Sequence, residues 1–281
     1  VLRLTNLVGQ ILRSRDTPYI AVLRGGALVE RLEQIRPILM PILDGAERII
    51  SPSGFLTEGF REEGYDVNWI PNALELAKFP YKERDVPQRT IRLLWVRAFT
   101  EIYRPQWAVE IVGHLRDRGI TSRLSMVGPD KGLLDATKRR ASELGVAEMV
   151  DFVGAVPNGE LYRYYHSHDY LLNTTKYESF GVALAEAAAT GLPIVSAAVG
   201  EVAYAWNDDE DIFLVSGGSS LEFAERIGRL RRDDGAGKQY RHVSHRAWEK
   251  ASKYQISNIM PKWESIIKTV RSSRCRNRSL G

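Results

Sequence analysis

The chain has 281 residues, 44% of them hydrophobic and 26% charged, with 39 Lys+Arg against 35 Asp+Glu for a formal net charge of +4. At about 150 residues per domain, this length accommodates roughly two domains, each able to bury a core. No apolar run approaches the ~20 residues of a membrane span, the first residues lack the layout of a secretory signal, and one Cys makes neither an internal disulfide nor a zinc cluster. The expectation is a soluble, cytoplasmic protein of more than one domain.

In chain order, short apolar runs alternate with helical patterns. Strands are expected at 19–23, 48–51, 67–70, 91–96, 123–127, 149–153, 170–173, 193–197 and 212–215. Ser53 before an apolar-periodic run and Gly64 after it read as a helix cap and stop. Pro105 suits the first turn of a helix carrying Ala108, Ile111, Val112 and Leu115. Strand–helix units at this spacing imply an α/β protein with parallel sheets covered on both faces. Ligands of such sheets gather at the carboxyl ends of the strands.

Residues 1–70 hold three of these strands, too few for a well-covered sheet. The stretch 71–88, with three Pro and a run of charges, reads as a linker, and 89–235 reads as a complete domain. Residues 236–270 are expected to form helices that return toward the N-terminal unit, with Trp248 and Trp263 as packing anchors. Residues 271–281 carry four Arg and no acid and are expected to be a disordered basic tail, with contact to an anionic membrane surface as a use left open. That tail accounts for the net charge, so the body is no basic nucleic-acid binder. His166 and His168 fit no nucleophile or metal pattern and read as helix-end or surface residues, and no metal site is expected.

The most informative stretch is 173–191, NTTKYESFGVALAEAAATG. A strand ends near Asn173, a polar loop follows, and a helix starts around Phe180–Gly181. Backbone N–H groups at such a start bind phosphate, and Gly181 permits close approach. Glu178 in the loop and Glu186 in the helix are two carboxylates able to accept hydrogen bonds from sugar and ribose hydroxyls. Spacing alone carries little, because Glu pairs eight apart arise by chance.

The segment Glu178-SFGVALA-Glu186, followed by AAATGLPIVSA, resembles the E-x7-E hallmark of the retaining GT-B glycosyltransferases of family 4, the group 1 glycosyltransferases. Further segments resemble the family in order: 71–80 (PNALELAKFP), 93–112 (LLWVRAFTEIYRPQWAVEIV), 123–132 (RLSMVGPDKG), 150–175 and 200–215. The resemblance implies a Rossmann-like donor domain and a nucleotide-diphosphate-sugar as donor substrate, UDP- or GDP-linked, with no other cofactor. It assigns Glu178 to the donor sugar and Glu186 to the ribose. Arg97 goes to the diphosphate, where a guanidinium fork suits developing negative charge. Ser179, Phe180 and Gly181 are implied as phosphate-binding N–H donors, and Gly128 and Val156 as loop residues lining the nucleotide, Val156 through its backbone.

Departures from the family are also visible. Tyr103, followed by Arg104, stands where many members carry a Lys, so the diphosphate is expected to rest on Arg97, aided by Arg104. Arg24 replaces a His that lies near the donor sugar in the family, and it either pairs with phosphate or lines the cleft. The chain begins where the middle of the family's N-terminal domain is expected, which implies an incomplete domain lacking its Gly-rich loop. Two functions follow as expectations: a retaining glycosyltransferase acting on the hydroxyl of a glycan, lipid or small molecule, or a non-catalytic nucleotide-sugar-binding module or half of a split enzyme.

Overall fold

The computed structural model describes residues 2–278 except 16, 88, 217 and 233–235. The chain falls into two compact units: Val1–Ala73 with Glu178–Phe180 and Tyr254–Gly281, and Leu74–Tyr177 with Gly181–Lys253.

In the first unit, helix α1 (Leu2–Ser14) precedes β1 (Ile20–Val22), α2 (Leu32–Asp44), β2 (Arg48–Ser51), α3 (Gly54–Glu62) and β3 (Val67–Trp69). The strands form a parallel sheet in the order β1-β2-β3. Its core gathers Leu39, Leu43, Ile49, Leu56, Phe60 and Val67. The α3 start is set as expected, with the Ser53 Oγ accepting from the Leu56 N–H at 3.0 Å.

The second unit positions the site. It contains β4 (Ile91–Val96), α4 (Pro105–Asp117), β5 (Ser122–Val127), α5 (Leu134–Glu143), β6 (Val150–Gly154), α6 (Leu161–Ser167), β7 (Tyr170–Asn173), α7 (Val182–Ala189), β8 (Ile194–Ala197), α8 (Glu201–Ala205), β9 (Phe213–Val215), α9 (Ser220–Arg232) and α10 (Ala236–Ser252). The strands pair in parallel in the order β6-β5-β4-β7-β8-β9. Side chains alternate across a strand, and β4 displays this directly. Leu93 and Trp95 enter a core with Ile111, Leu115 and Phe223, and Leu94 between them enters a second core with Leu171, Leu184 and Ala188. A sheet buried on both faces needs apolar residues at consecutive positions, which is why its strands read as continuous runs.

Three boundaries differ from the sequence expectation. Residues 74–87 are not a free linker but group with the second unit. Phe79 is in its core, and the Arg84 guanidinium donates to the carbonyls of Tyr165 (2.8 Å), His168 (3.0 Å) and Thr190 (3.2 Å). Proline and a run of charges read as a linker, yet Arg84 is buried, where it satisfies carbonyls at the ends of α6 and α7. Arg84→Leu is expected to orphan those acceptors, costing about 2 kcal/mol. In a melt this reads as a fall of roughly 4–8 °C in the unfolding midpoint.

Likewise, α10 does not join the first unit. It belongs to the second, where Tyr240, Val243 and Ala247 are buried, and the chain groups with the first unit only from Tyr254. There the C-terminal helix α11 (Ile256–Arg278) packs Ile259, Trp263 and Ile266 on Ile50 and Ile70. Helix α11 runs through Arg278, so the expected disordered tail is helical over 271–278, while 279–281 lie outside the described residues. Among the described residues, no helix is long and apolar enough to cross a membrane.

Candidate functional site

Strand order in the second unit changes direction between β4 and β7. The chain steps outward from β4 to β5 and β6, then crosses back to β7 and proceeds through β8 to β9. The loops leaving β4 and β7 therefore diverge and open a crevice at the carboxyl edge of the sheet, where parallel α/β sheets bind ligands. A cleft of about 350 Å³ opens there, lined by Arg97, Tyr103, Gly128, Val156, Glu186 and neighbouring residues, all from the second unit.

Arg97 is the first residue past β4. Its Nη2 donates to Asn173 Oδ1 at 3.2 Å, at the end of the adjacent β7, and its guanidinium carbon lies 5.3 Å from the centre of the Tyr103 ring. The strand pairing continues into the loops, with the Arg97 N–H bonding the Val127 carbonyl at 3.0 Å and the Gly128 N–H bonding the Gly154 carbonyl at 2.8 Å. Gly128 has φ +149°, and a Cβ there would lie 1.7 Å from the Arg97 carbonyl oxygen. Glycine is therefore required for the backbone of β5 to pass beneath Arg97.

Glu186 projects into the same cleft from α7 and is 5% exposed. Tyr165, fully buried on α6, donates its hydroxyl to Glu186 Oε2 at 2.9 Å, and Asn158 Nδ2 lies 3.4 Å from Oε1. Burial raises the Glu186 carboxyl above the usual carboxylate range, opposed by those two bonds and by the charge of Arg97. Burial and the neighbouring Glu186 push the Tyr165 hydroxyl well up, so it stays a donor.

The loop from β7 to α7 is anchored by Thr174, whose hydroxyl accepts from Trp95 Nε1 at 3.0 Å and donates to the Tyr103 carbonyl at 2.6 Å. Gly181 caps α7 with φ +81° and adjoins Val182, which lines the cleft. Glu178, Ser179 and Phe180 group with the first unit instead. The N–H groups of Ser179 and Phe180, expected to face phosphate, approach the Glu178 carboxylate at 3.1 and 3.4 Å. Arg24 also belongs to the first unit, with an exposed side chain and a carbonyl that accepts from the Ser179 hydroxyl at 2.9 Å.

Arg104 departs from the expectation that it would assist at the diphosphate. Its backbone is left-handed, its guanidinium stacks 4.1 Å from the Trp107 ring centre, and it is not among the cleft-lining residues. Burial lowers its pKa from the ordinary arginine range. His166 and His168 are helix-end residues as expected. His168, however, is buried, with Nδ1 on the Tyr164 carbonyl at 2.7 Å and Nε2 on Ser125 Oγ at 3.0 Å.

Sequence reasoning did not single out Asn173, Tyr165 or Asn158. Asn173 had a signal in its place, a polar residue closing an otherwise apolar strand. Tyr165 and Asn158 lie 21 and 28 positions from the carboxylate they hold, and only folding joins them to it.

A parallel sheet with a reversal in strand order, and an arginine and a buried carboxylate in one cleft at that reversal, define the class of doubly wound α/β domains that bind ligands at the carboxyl edge of the sheet. Comparison with known proteins narrows it. The family profile described as glycosyl transferases group 1 matches residues 90–233, and the chain belongs to that family. D-inositol 3-phosphate glycosyltransferase of Actinosynnema mirum is 28% identical over 203 residues, covering 65% of this chain and 49% of that protein. The protein of the same name from Mycobacterium marinum is 36% identical over 124 residues, covering 44% and 26%. The chain thus spans about half or less of the length of these relatives.

Among solved structures, Anabaena HepE in complex with UDP and glucose is similar with a TM-score of 0.82 at 15% identity, over 96% of this chain and 76% of that one. Sucrose-phosphate synthase of Thermosynechococcus elongatus gives 0.81 at 21% identity, over 95% and 72%. At these identities the likeness concerns the fold, which is of the GT-B class.

Proposed function

We propose that the cleft of the second unit binds the nucleoside diphosphate of a nucleotide sugar, and that the protein transfers the sugar to an acceptor hydroxyl with retention at the anomeric carbon. The observation that carries this reading is the placement of Arg97 and the buried Glu186 in one cleft at the reversal of the sheet. Arg97 offers a planar fork of donors for phosphate oxygens. Glu186, held by Tyr165 and Asn158, offers a fixed carboxylate to ribose hydroxyls. Glu178 is assigned to the sugar hydroxyls by family resemblance.

In the proposed reaction the bond from the anomeric carbon to the diphosphate oxygen breaks as the acceptor oxygen bonds the same face of that carbon. The acceptor proton passes to the departing diphosphate. Arg97 stabilises the charge that develops on the leaving group. HepE was crystallised with UDP, which supports UDP as the first nucleotide to test, with GDP as the comparison. The Actinosynnema relative is a D-inositol 3-phosphate glycosyltransferase, which supports testing small phosphorylated polyols beside glycan and lipid acceptors.

The test incubates the protein with UDP-glucose and an acceptor and follows product by NMR. An α-linked product from the α-linked donor supports retention, and a β-linked product contradicts it. The alternative, a donor-binding module without transfer, is favoured by one observation, that every residue lining the cleft comes from one unit. Nucleotide-sugar binding with no turnover on any acceptor class would select that alternative. The basic C-terminal residues are proposed to touch an anionic membrane surface. Co-sedimentation with phosphatidylglycerol vesicles at low salt supports this, and equal recovery with neutral vesicles contradicts it.

The raised pKa of Glu186 gives a pH dependence with a defined sign. Ribose hydroxyls donate to the ionised carboxylate, so UDP-glucose affinity should fall as pH drops through a value above the ordinary ~4.3 of glutamate. For stability the sign reverses. A carboxyl that holds its proton more tightly when folded contributes stability below its unfolded pKa, lost as pH rises through the folded one. Glu186→Gln is therefore expected to raise the neutral-pH melting point. It should also weaken UDP-glucose binding and abolish the acid limb of the affinity profile. Calorimetry and melts at pH 4.5–8 check both signs.

A further inference from the structure

The first unit carries a groove of about 500 Å³ between β3 and helix α11, lined by residues of that unit alone. Trp69, the last residue of β3, is 46% exposed. Its Nε1–H donates to the Pro52 carbonyl at 3.3 Å, which fixes the plane of the ring. On α11, the Lys262 ammonium lies 5.7 Å from the centre of that ring. Arg61 enters the groove from α3 and anchors its Nη2 on the Val67 carbonyl at 2.9 Å. That bond uses one of the five N–H groups of the guanidinium. Ile70 and Ile266, packed with Ile50 and Ile259, give the groove an apolar floor. Asn68 Oδ1 in its wall is closed off from water and has no hydrogen-bond partner. No Asp or Glu is among the described residues that line the groove.

We propose that this groove is a second carbohydrate site, sharing no residue with the nucleotide cleft, and that it takes an acidic glycan. The C–H face of a pyranose stacks on the apolar plate that the fixed indole presents. An anionic substituent on the sugar meets Arg61 and Lys262, two cations with no lining carboxylate to compete for them. Lys262 lies over the ring in a contact that is weak at an exposed site, and its flexible stem swings aside to the anion. The terminal torsion of Asn68 is broad, so the amide turns its oxygen to a sugar hydroxyl and gains the donor it lacks. A purely apolar ligand would leave both cations and the amide unused, and a simple anion would have no use for the indole. The inference does not depend on how the cleft of the second unit is read.

The test titrates the whole chain with trigalacturonate and with a heparin-derived tetrasaccharide by calorimetry, with neutral maltotriose as the comparison. Wild type, Trp69→Ala, Trp69→Phe and Lys262→Glu are measured, each checked for folding by its melting curve. Wild type is expected to bind at least one acidic probe saturably and more tightly than maltotriose. Trp69→Ala should weaken that binding roughly threefold to tenfold, the scale of one aromatic contact. Trp69→Phe, which keeps a ring face but loses the bond to Pro52, should recover part of it. Lys262→Glu should weaken it roughly fivefold at low salt, and the loss should shrink at about 0.5 M salt, where exposed charges are screened.

Unchanged affinity in a folded Trp69→Ala would overturn the proposal, since the acidic probes would then sit elsewhere on the chain. So would maltotriose binding as tightly as the acidic probes, which would remove the part given to Arg61 and Lys262. Absence of saturable binding of either acidic probe to wild type would overturn it outright.

Discussion

Arg97→Ala is expected to lower UDP affinity roughly 30- to 150-fold, the worth of about 2–3 kcal/mol for hydrogen bonds between charged partners in a desolvated setting. Transfer should fall further, by about 10²–10³, because negative charge on the departing diphosphate is greater in the transition state than in the ground state. Arg104 is stacked on Trp107 and is not among the cleft-lining residues, so it is not expected to compensate. Arg97→Lys should recover part of the binding but less of the transfer, since a single ammonium cannot reproduce the fork or its bond to Asn173. The stability cost should be small, because the side chain is only half-buried. Equal losses of stability and affinity would point instead to a structural role.

Gly128→Ala is expected to have the largest effect on the fold. The added Cβ would stand 1.7 Å from the Arg97 carbonyl oxygen and 2.6 Å from its carbon, both backbone atoms, so no change of rotamer relieves the clash. The φ of +149° adds strain for any side chain. Together these should cost at least about 3 kcal/mol, a fall on the order of 10 °C in the melting point. Because the displaced neighbour is the backbone of Arg97 itself, UDP affinity should fall even in the fraction that folds. Gly159→Ala is the control: a Cβ there meets nothing within 4 Å, and stability should stay within about 0.5 kcal/mol.

Much of this arrangement could be read from the residues alone, for a physical reason. Strands buried on both faces must be apolar at consecutive positions, so the run 91–96 marked a strand that the structure gives as Ile91–Val96, and 170–173 likewise. Arg97, Tyr103, Gly128, Val156 and Glu186 are singled out by the family resemblance, and the fold brings all five to one cleft. What was not legible depends on contacts between distant residues. Arg84 looked like a linker cation, and only the carbonyls at the ends of α6 and α7 explain its burial. Arg104 is expected from its position to be a second phosphate ligand, but its guanidinium stacks on Trp107, three residues on. The resemblance implies Ser179 and Phe180 as phosphate-binding N–H donors, whereas in the fold their N–H groups approach the Glu178 carboxylate. Asn173 hydrogen-bonds Arg97 and the Ser196 hydroxyl of β8, 76 and 23 positions away, contacts that only folding creates.

The most direct test of the central claim is calorimetric titration of the protein with UDP-glucose, repeated with Arg97→Ala and Glu186→Ala. The account predicts measurable binding to wild type and a loss of at least tenfold in each variant, with both still folded by melting curve. UDP-glucose and GDP-linked sugar affinities that are the same in wild type and in both variants would contradict it.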